Sequence, residues 1–299
     1  MAKKFSKTES EITKLFKVGK TFTYNDLKYT ILNSGKPNPS KGECKTDTYV
    51  STIDQNEIKT EFKISIKQTN ADFLENKMNI ERAIQIFGKN ASEIIKKSTE
   101  NIEQSFKDDF LVLFKKHKRT ESKTIKIGWK FELLNKKSGE KSAEIKLTKN
   151  QIVDIYAGTN LDENKKNSMI NDVKINNSGI ANFILFVEDY NNQTLQEIVD
   201  LIIPIKDYCK DKKIYFACKA INYRLEKDKW DGNRPLSVFI EWSEIGDNIT
   251  SKIVFNKPLE TKANEIGNNI RDILKRKNIK SDNFNSLEIF LKNTKYLKD

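Results

Sequence analysis

The sequence predicts a mixed α/β (α+β) protein with a central mixed sheet flanked by helices, followed by a C-terminal α+β region. Three observations carry this. Residues 60–67 (TEFKISIK) and 123–134 (KTIKIGWKFELL) alternate apolar and polar with a strand's period of two. Residues 71–88 and 90–117 carry apolar residues near 3.6 spacing, as amphipathic helices do. The run IANFILFV at 180–187 is short, apolar and β-branched, as a buried strand is.

The elements follow in chain order. TESEITKLFK at 8–17 reads as a helix, with Thr8 as cap, Glu11 closing a capping box and Ile12, Leu15 and Phe16 on one face. KYTILN at 28–33 reads as a strand, and Ser34–Gly42, rich in Gly, Pro and Lys, as a loop. ECKTDTYVSTI at 43–53 reads as a strand that forms a hairpin with 60–67. The helix at 71–88 ends on Gly88. The helix at 90–117 turns Ile94, Ile95, Ile102, Phe106, Phe110 and Phe114 inward.

Beyond 123–134, residues 143–147 are expected to pair with that strand across Ser138-Gly139-Glu140, and Thr148 to cap a helix running to Tyr156. The polar segment 158–178 reads as a loop, 194–203 as a helix stopped by Pro204, and 213–223 as a strand. Residues 236–243 and 250–256 read as a hairpin across Gly246-Asp247-Asn248, and 259–277 and 284–293 as helices. Two regions are expected: a core at 1–120, and an α+β region at 121–299 that either continues it or stands apart.

Charge narrows the partner class. Lys plus Arg number 54 against 42 Asp plus Glu, a net +12. Such a surplus favours a polyanion, although a Lys- and Asn-rich coding bias produces it equally well. The three cysteines, Cys44, Cys209 and Cys218, have no metal spacing, and their low odd count fits a reducing, cytoplasmic setting. No stretch approaches the roughly 18 apolar residues of a membrane span. The sole histidine, His117, lies in Lys115-Lys116-His117-Lys118-Arg119. Histidine-dependent nuclease, serine-triad and Cys-His hydrolase chemistry is thereby excluded, so any phosphodiester chemistry must run on carboxylates, Lys and a metal.

The expected hairpin confines charge to one face: Glu43, Lys45 and Asp47 on one strand, Glu61, Lys63, Ser65 and Lys67 on the next. A carboxylate to hold a divalent metal, a cation to stabilise charge at phosphorus and a rigid sheet to fix both are what phosphodiester cleavage needs. A solvated polar face on an ordinary hairpin would carry the same residue types.

The runs Gly35-Lys36-Pro37, Gly42-Glu43-Cys44-Lys45-Thr46-Asp47-Thr48-Tyr49-Val50 and Lys63-Ile64-Ser65-Ile66-Lys67-Gln68 resemble a subset of the PD-(D/E)xK restriction endonucleases over roughly residues 8–90. The resemblance implies a type II site-specific deoxyribonuclease using Mg2+, with Asp47 as metal ligand and Lys67 as catalytic lysine. Ser65 stands where the family carries a second acid. That departure leaves Glu43, Glu11 or Glu9 to replace it. A competing register uses Glu61 and Lys63 as the acid-x-Lys pair, with Glu61 on the metal. Double-stranded DNA is the implied partner, two-fold dimers are common among such enzymes, and a cognate DNA methyltransferase belongs to the same system. Lys36, Lys45, Gln68 and Asn70 near the site, and Arg224, Asn233 and Arg234 around the turn Trp230–Pro235, are the candidate DNA contacts. Lys115–Arg119 and Arg271 with Lys275–Lys277 are candidate phosphate contacts, a charge run being as often a solvated face.

Overall fold

The computed structural model describes residues 2–69, 72–188 and 193–298. The protein is mixed α/β and forms two compact units, Met1–Asp72 with Leu147–Lys213, and Phe73–Lys146 with Ile214–Asp299. The chain therefore leaves the first unit, returns to it and leaves it again. The break expected at residue 120 falls inside the second unit. There, the strand Thr124–Leu134 pairs directly with Val112–Leu113, so no boundary separates them.

The first unit is built on helix α1 (Ala2–Leu15) and strands β1 (Thr21–Tyr24), β2 (Leu27–Gly35), β3 (Thr48–Asp54) and β4 (Lys59–Gln68). After the excursion into the second unit come α2 (Lys149–Ala157), β5 (Phe183–Val187), α3 (Leu195–Asp200), β6 (Ile203–Pro204) and α4 (Ile205–Tyr208). Among the described residues the sheet order is β1-β2-β3-β4-β5-β6. All neighbours are antiparallel except β4 and β5, which run parallel with Ile64 beside Phe183 and Lys67 beside Phe186.

Alternation in β4 decides which face is core. Phe62, Ile64 and Ile66 join Ile12 and Phe16 of α1, Phe183, Leu185 and Val187 of β5, and Ile198 and Val199 of α3. Phe62 is the hub of an aromatic cluster, with ring centroids 5.2 Å from Phe22, Tyr29 and Phe183. On the other face, Phe186 meets Tyr208 of α4, which meets Tyr156 of α2. The sheet thus lies between two helical layers. Each buried side chain of this size contributes about 1.5–3 kcal/mol, which fixes the register of β4 firmly. Asn182 extends the β4–β5 ladder by one step: its Oδ1 accepts the Lys63 N–H at 2.7 Å and its Nδ2 donates to the Glu61 carbonyl at 2.8 Å.

Several elements differ from expectation. Helix α1 begins at Ala2, so Thr8 lies within it instead of capping it. The strand expected from 43 begins only at Thr48. Lys45 N–H and Thr46 N–H both donate to the Gly179 carbonyl and are unavailable to a neighbouring strand. Glu43 and Lys45 consequently do not belong to a strand face. The segment expected as a loop at 158–178 carries a short helix, Glu163–Lys166, and a small hairpin, Met169–Ile170 with Val173–Lys174.

In the second unit the sheet centres on Thr124–Leu134, paired with Ile214–Arg224 and Val238–Ile245. Trp129, Phe131, Phe106, Phe216 and Trp242 fill its core. The helix expected at 71–88 shortens to Ile80–Phe87, capped by Asn79, and residues Phe73–Glu75 become a strand. The helix expected at 90–117 splits into Ala91–Glu100 and Glu103–Lys107, then strand Val112–Leu113. Pairing with Tyr296–Leu297 and Thr124–Ile125 overrides its helical period there. Strand Ser142–Ile145 pairs with Ile214–Ala217 and not with Thr124–Leu134. The hairpin Val238–Ile245 with Asn248–Val254 forms as the sequence predicts.

Candidate active site

Asp47 sits one residue before β3. Its N–H donates to the Ile64 carbonyl at 2.9 Å, and its Oδ2 accepts the Ile66 N–H at 2.7 Å. Thr48 pairs with Ile64, so the ladder continued by one step sets Asp47 opposite Ser65, with Lys67 one pleat further on the same side. Two hydrogen bonds to β4 hold this aspartate where a free loop residue would wander.

A second carboxylate, on α1, acts electrostatically on Asp47. Thr13 and Thr48 share a hydroxyl–hydroxyl hydrogen bond of 2.6 Å, which pins the helix to the first residue of β3. Glu9 lies one turn before Thr13, whose hydroxyl donates to the Glu9 carbonyl at 2.9 Å. The Glu9 side chain is mostly buried and accepts a 3.0 Å contact from Lys36 Nζ, just beyond the end of β2. The charges of Lys67, Glu9 and Lys36 all act on Asp47. Burial pushes the Asp47 carboxyl up to about 6; Lys67 opposes this, Glu9 adds to it, and the Ile66 N–H and Lys36 oppose it.

Ser65 is fully buried, and its Oγ has no hydrogen-bond partner among the described residues. The Thr46 hydroxyl, next to Asp47 in sequence, is likewise buried and unpartnered. Cys44 is half-buried and its thiol donates to the Thr46 carbonyl at 3.3 Å; burial raises its pKa.

The other sequence candidates separate. Glu11 follows Glu9 by two residues, about 200° around the helix, and pairs with Lys14 at 3.0 Å. Glu43 is exposed, outside any strand. Lys45 is half-buried, with its side chain near Gly158. Glu61 lies four residues from Ser65 along β4, roughly 13 Å away. It is engaged by Tyr49 OH at 2.7 Å and Lys63 Nζ at 3.2 Å. The structure thus brings Asp47, Ser65 and Lys67 to one place, and sets the Glu61–Lys63 pair apart from Asp47. Gln68 ends β4, paired through its backbone with Val187. Asn70 lies outside the described residues.

Among the described residues no group of three or more His, Cys, Asp and Glu side chains is arranged to hold a metal. Mg2+ rarely needs one, since it binds through one or two carboxylates and completes its shell with water and phosphate oxygens. Asp47 and Glu9, whose charge acts on Asp47, are the two carboxylates that would serve. Glu9 disfavours ionisation of Asp47, a repulsion that a dication would relieve, and the unpartnered Ser65 hydroxyl lies across the ladder from Asp47. Sequence reading raised Glu9 only beside Glu11 and Glu43. The helical phase of Ile12 and Phe16, which face the sheet, carries some signal between Glu9 and Glu11, but α1's docking through Thr13 does not show in the sequence.

In the second unit, Arg224 is committed to its own fold. Its guanidinium makes two bonds to Asp231, at 2.6 and 3.1 Å, and one to Glu121 at 3.0 Å. Asn233 Oδ1 accepts the Asn264 N–H at 3.1 Å, in the first turn of the helix Ala263–Arg276. Arg234 makes no side-chain hydrogen bond or ion pair among the described residues, while its carbonyl accepts the Ala263 N–H. Arg271 bonds Asp228 and lies over the Trp230 ring, its guanidinium carbon 4.8 Å from the ring centroid. His117 forms a tight bridge with Thr120 in place of a helix end.

The chain matches no protein-family model, no curated protein and no solved structure. No helix among the described residues is long and apolar enough to cross a membrane.

Proposed function

We propose that this protein is a Mg2+-dependent DNA endonuclease of the PD-(D/E)xK kind, acting in the cytoplasm as a type II restriction enzyme on double-stranded DNA. The observation that carries this reading is Asp47 held against β4 opposite Ser65, with Lys67 one pleat further on and the charge of Glu9 acting on Asp47. Two features support it. The antiparallel β2-β3-β4 run, extended by a parallel β5 and covered by helices on both faces, is a rigid frame for such a group. The net charge of +12 suits a polyanionic substrate.

Asp47 and Glu9 would hold Mg2+, which would supply positive charge at the scissile phosphate. The chain's own residues do the rest. Lys67, one pleat from the position opposite Asp47, stabilises charge developing on the phosphoryl oxygens and orients the attacking water. Ser65 contributes no charge, and Glu9 takes the role of the absent second acid from a different element. A homodimer would present one such site to each DNA strand, and a cognate methyltransferase would protect the host's own sites.

Methylation-free DNA incubated with Mg2+ and wild type, Asp47→Asn or Lys67→Met tests the reading. Discrete fragments from wild type alone are expected. Equal digestion by all three would remove the site assignment, and intact DNA from wild type would remove the activity. A second reading, a nuclease of the same core without strict sequence choice, draws on Arg224 and Arg271 being bound internally, which leaves fewer guanidinium groups for guanine edges. A smear in place of discrete bands would favour it.

A further inference from the structure

We propose that Lys36 is a surrogate cation: its ammonium occupies Glu9 until a divalent metal displaces it, and then transfers to a phosphate of the substrate. This rests on the reading that Asp47 and Glu9 hold a metal.

Charge counting supplies the first argument. The charges of Glu9, Lys36 and Lys67 all act on Asp47, Lys36 Nζ lies 3.0 Å from Glu9, and the four formal charges cancel. A dication added to that group leaves two surplus positive charges in a partly buried place. The surplus is relieved when a cation departs or an anion arrives. Lys67 rises from the sheet, beside Phe186. Lys36 is the mobile member: its side chain is 60% exposed, against 14% for Glu9. Its release costs less than that of a buried cation, because its own end of the pair is in solvent, whereas Glu9 is held in place by the docked helix.

The anchoring of Lys36 supplies the second argument. Its backbone leaves β2 at a fixed point. The Ser34 hydroxyl donates to the Phe16 carbonyl, and Asn171 Nδ2 donates to the Ser34 carbonyl at 3.1 Å and to Asn33 Oδ1 at 3.0 Å. A fixed base and a free tip suit a lysine that exchanges one oxyanion for another within a few ångströms. Metal and phosphate then bind with positive coupling, each removing the electrostatic obstacle to the other.

The test uses the intact protein and two probes. Mn2+ binding is titrated without nucleic acid in wild type, Lys36→Met, Asp47→Asn, Glu9→Gln and the Glu9→Gln/Lys36→Met double variant. Lys36→Met should tighten Mn2+ about 3- to 10-fold. Asp47→Asn should abolish binding, and the lysine change should give no gain once Glu9 is neutral. Affinity for a short DNA duplex is then measured with Ca2+ across a salt series. Here Lys36→Met should weaken binding and reduce the salt slope by about one.

Unchanged or weaker Mn2+ binding in Lys36→Met, with Asp47→Asn still abolishing it, would overturn the surrogate role and leave the metal reading standing. Absence of Mn2+ binding in wild type and in Lys36→Met would overturn both. An unaltered duplex affinity would overturn the transfer to phosphate.

Discussion

Burial that pushes the Asp47 carboxyl up to about 6 sets chemistry against folding at one residue. Only the ionised carboxylate can hold a cation, so cleavage should fall about tenfold per pH unit below pH 6 and level off above 7. A pH–rate profile in Mg2+, compared with duplex binding over the same range, checks this. The folded carboxyl binds its proton more tightly than the unfolded one, whose ordinary value is 3.8. Its contribution to stability is therefore full below about pH 4 and is lost as pH rises through 6. Asp47→Asn removes the charge that burial disfavours. It should abolish cleavage yet raise unfolding stability by about 1–2 kcal/mol at pH 7.5, measured by denaturant titration. Arg224 gives the opposite pattern. Its bonds to Asp231 and Glu121 are intramolecular, so Arg224→Ala should cost about 1–2 kcal/mol of stability and leave base preference unchanged. A changed cutting site with unchanged stability would show that this guanidinium serves DNA.

Glycine 179 shows how one element places another. Its carbonyl accepts both Lys45 N–H and Thr46 N–H, fixing the backbone just before Asp47. A Cβ there would lie 1.9 Å from the Lys165 carbonyl oxygen and 2.9 Å from Cys44 Cβ. Gly179→Ala should therefore cost about 2–4 kcal/mol or displace the 43–47 segment, lowering Mn2+ affinity even where the protein stays folded. Calorimetry with a parallel Mn2+ titration separates these effects. The clamp also explains which elements were legible. Strand β4 reads directly from its alternation, as do Thr124–Leu134 and the hairpin at 238–254, because one buried face imposes the period. The stretch 43–46 has the composition of a strand, yet the Lys45 and Thr46 N–H groups bond to a residue more than 130 positions away. Nothing local records that. Glu9 was ambiguous for the same reason: a helix carries its phase in sequence, while its docking partner lies elsewhere. The juxtaposition of Asp47 and Lys67 is legible because Lys67 lies in β4, whose alternation is plain, and Asp47 immediately precedes the strand that pairs with it.

At the scale of the molecule, the division into interleaved units rewrites the boundary. A polypeptide ending at residue 120 contains β4 but lacks β5, α2 and α3. Ile64, Ile66 and Phe62 would lose Phe183, Leu185, Ile198 and Val199 as cover. We expect that fragment to bind hydrophobic dye and give poorly dispersed amide resonances, whereas residues 1–72 and 147–213 joined by a flexible Gly/Ser bridge should fold. A cooperatively folded 1–120 fragment would show that the β4–β5 pair is dispensable.

The parallel β4–β5 ladder has a further consequence for how the protein is born. Ile64 and Phe183 are neighbours in the sheet and distant in the chain, so the ladder closes late. During translation, Asp47 and Lys67 leave the ribosome long before Val187 does. Through that interval the apolar side of β4 lacks its eventual neighbour, and the frame that would support the proposed metal site is incomplete in the nascent chain. A cell making such a nuclease would be exposed to its cutting only once synthesis of the first unit is complete.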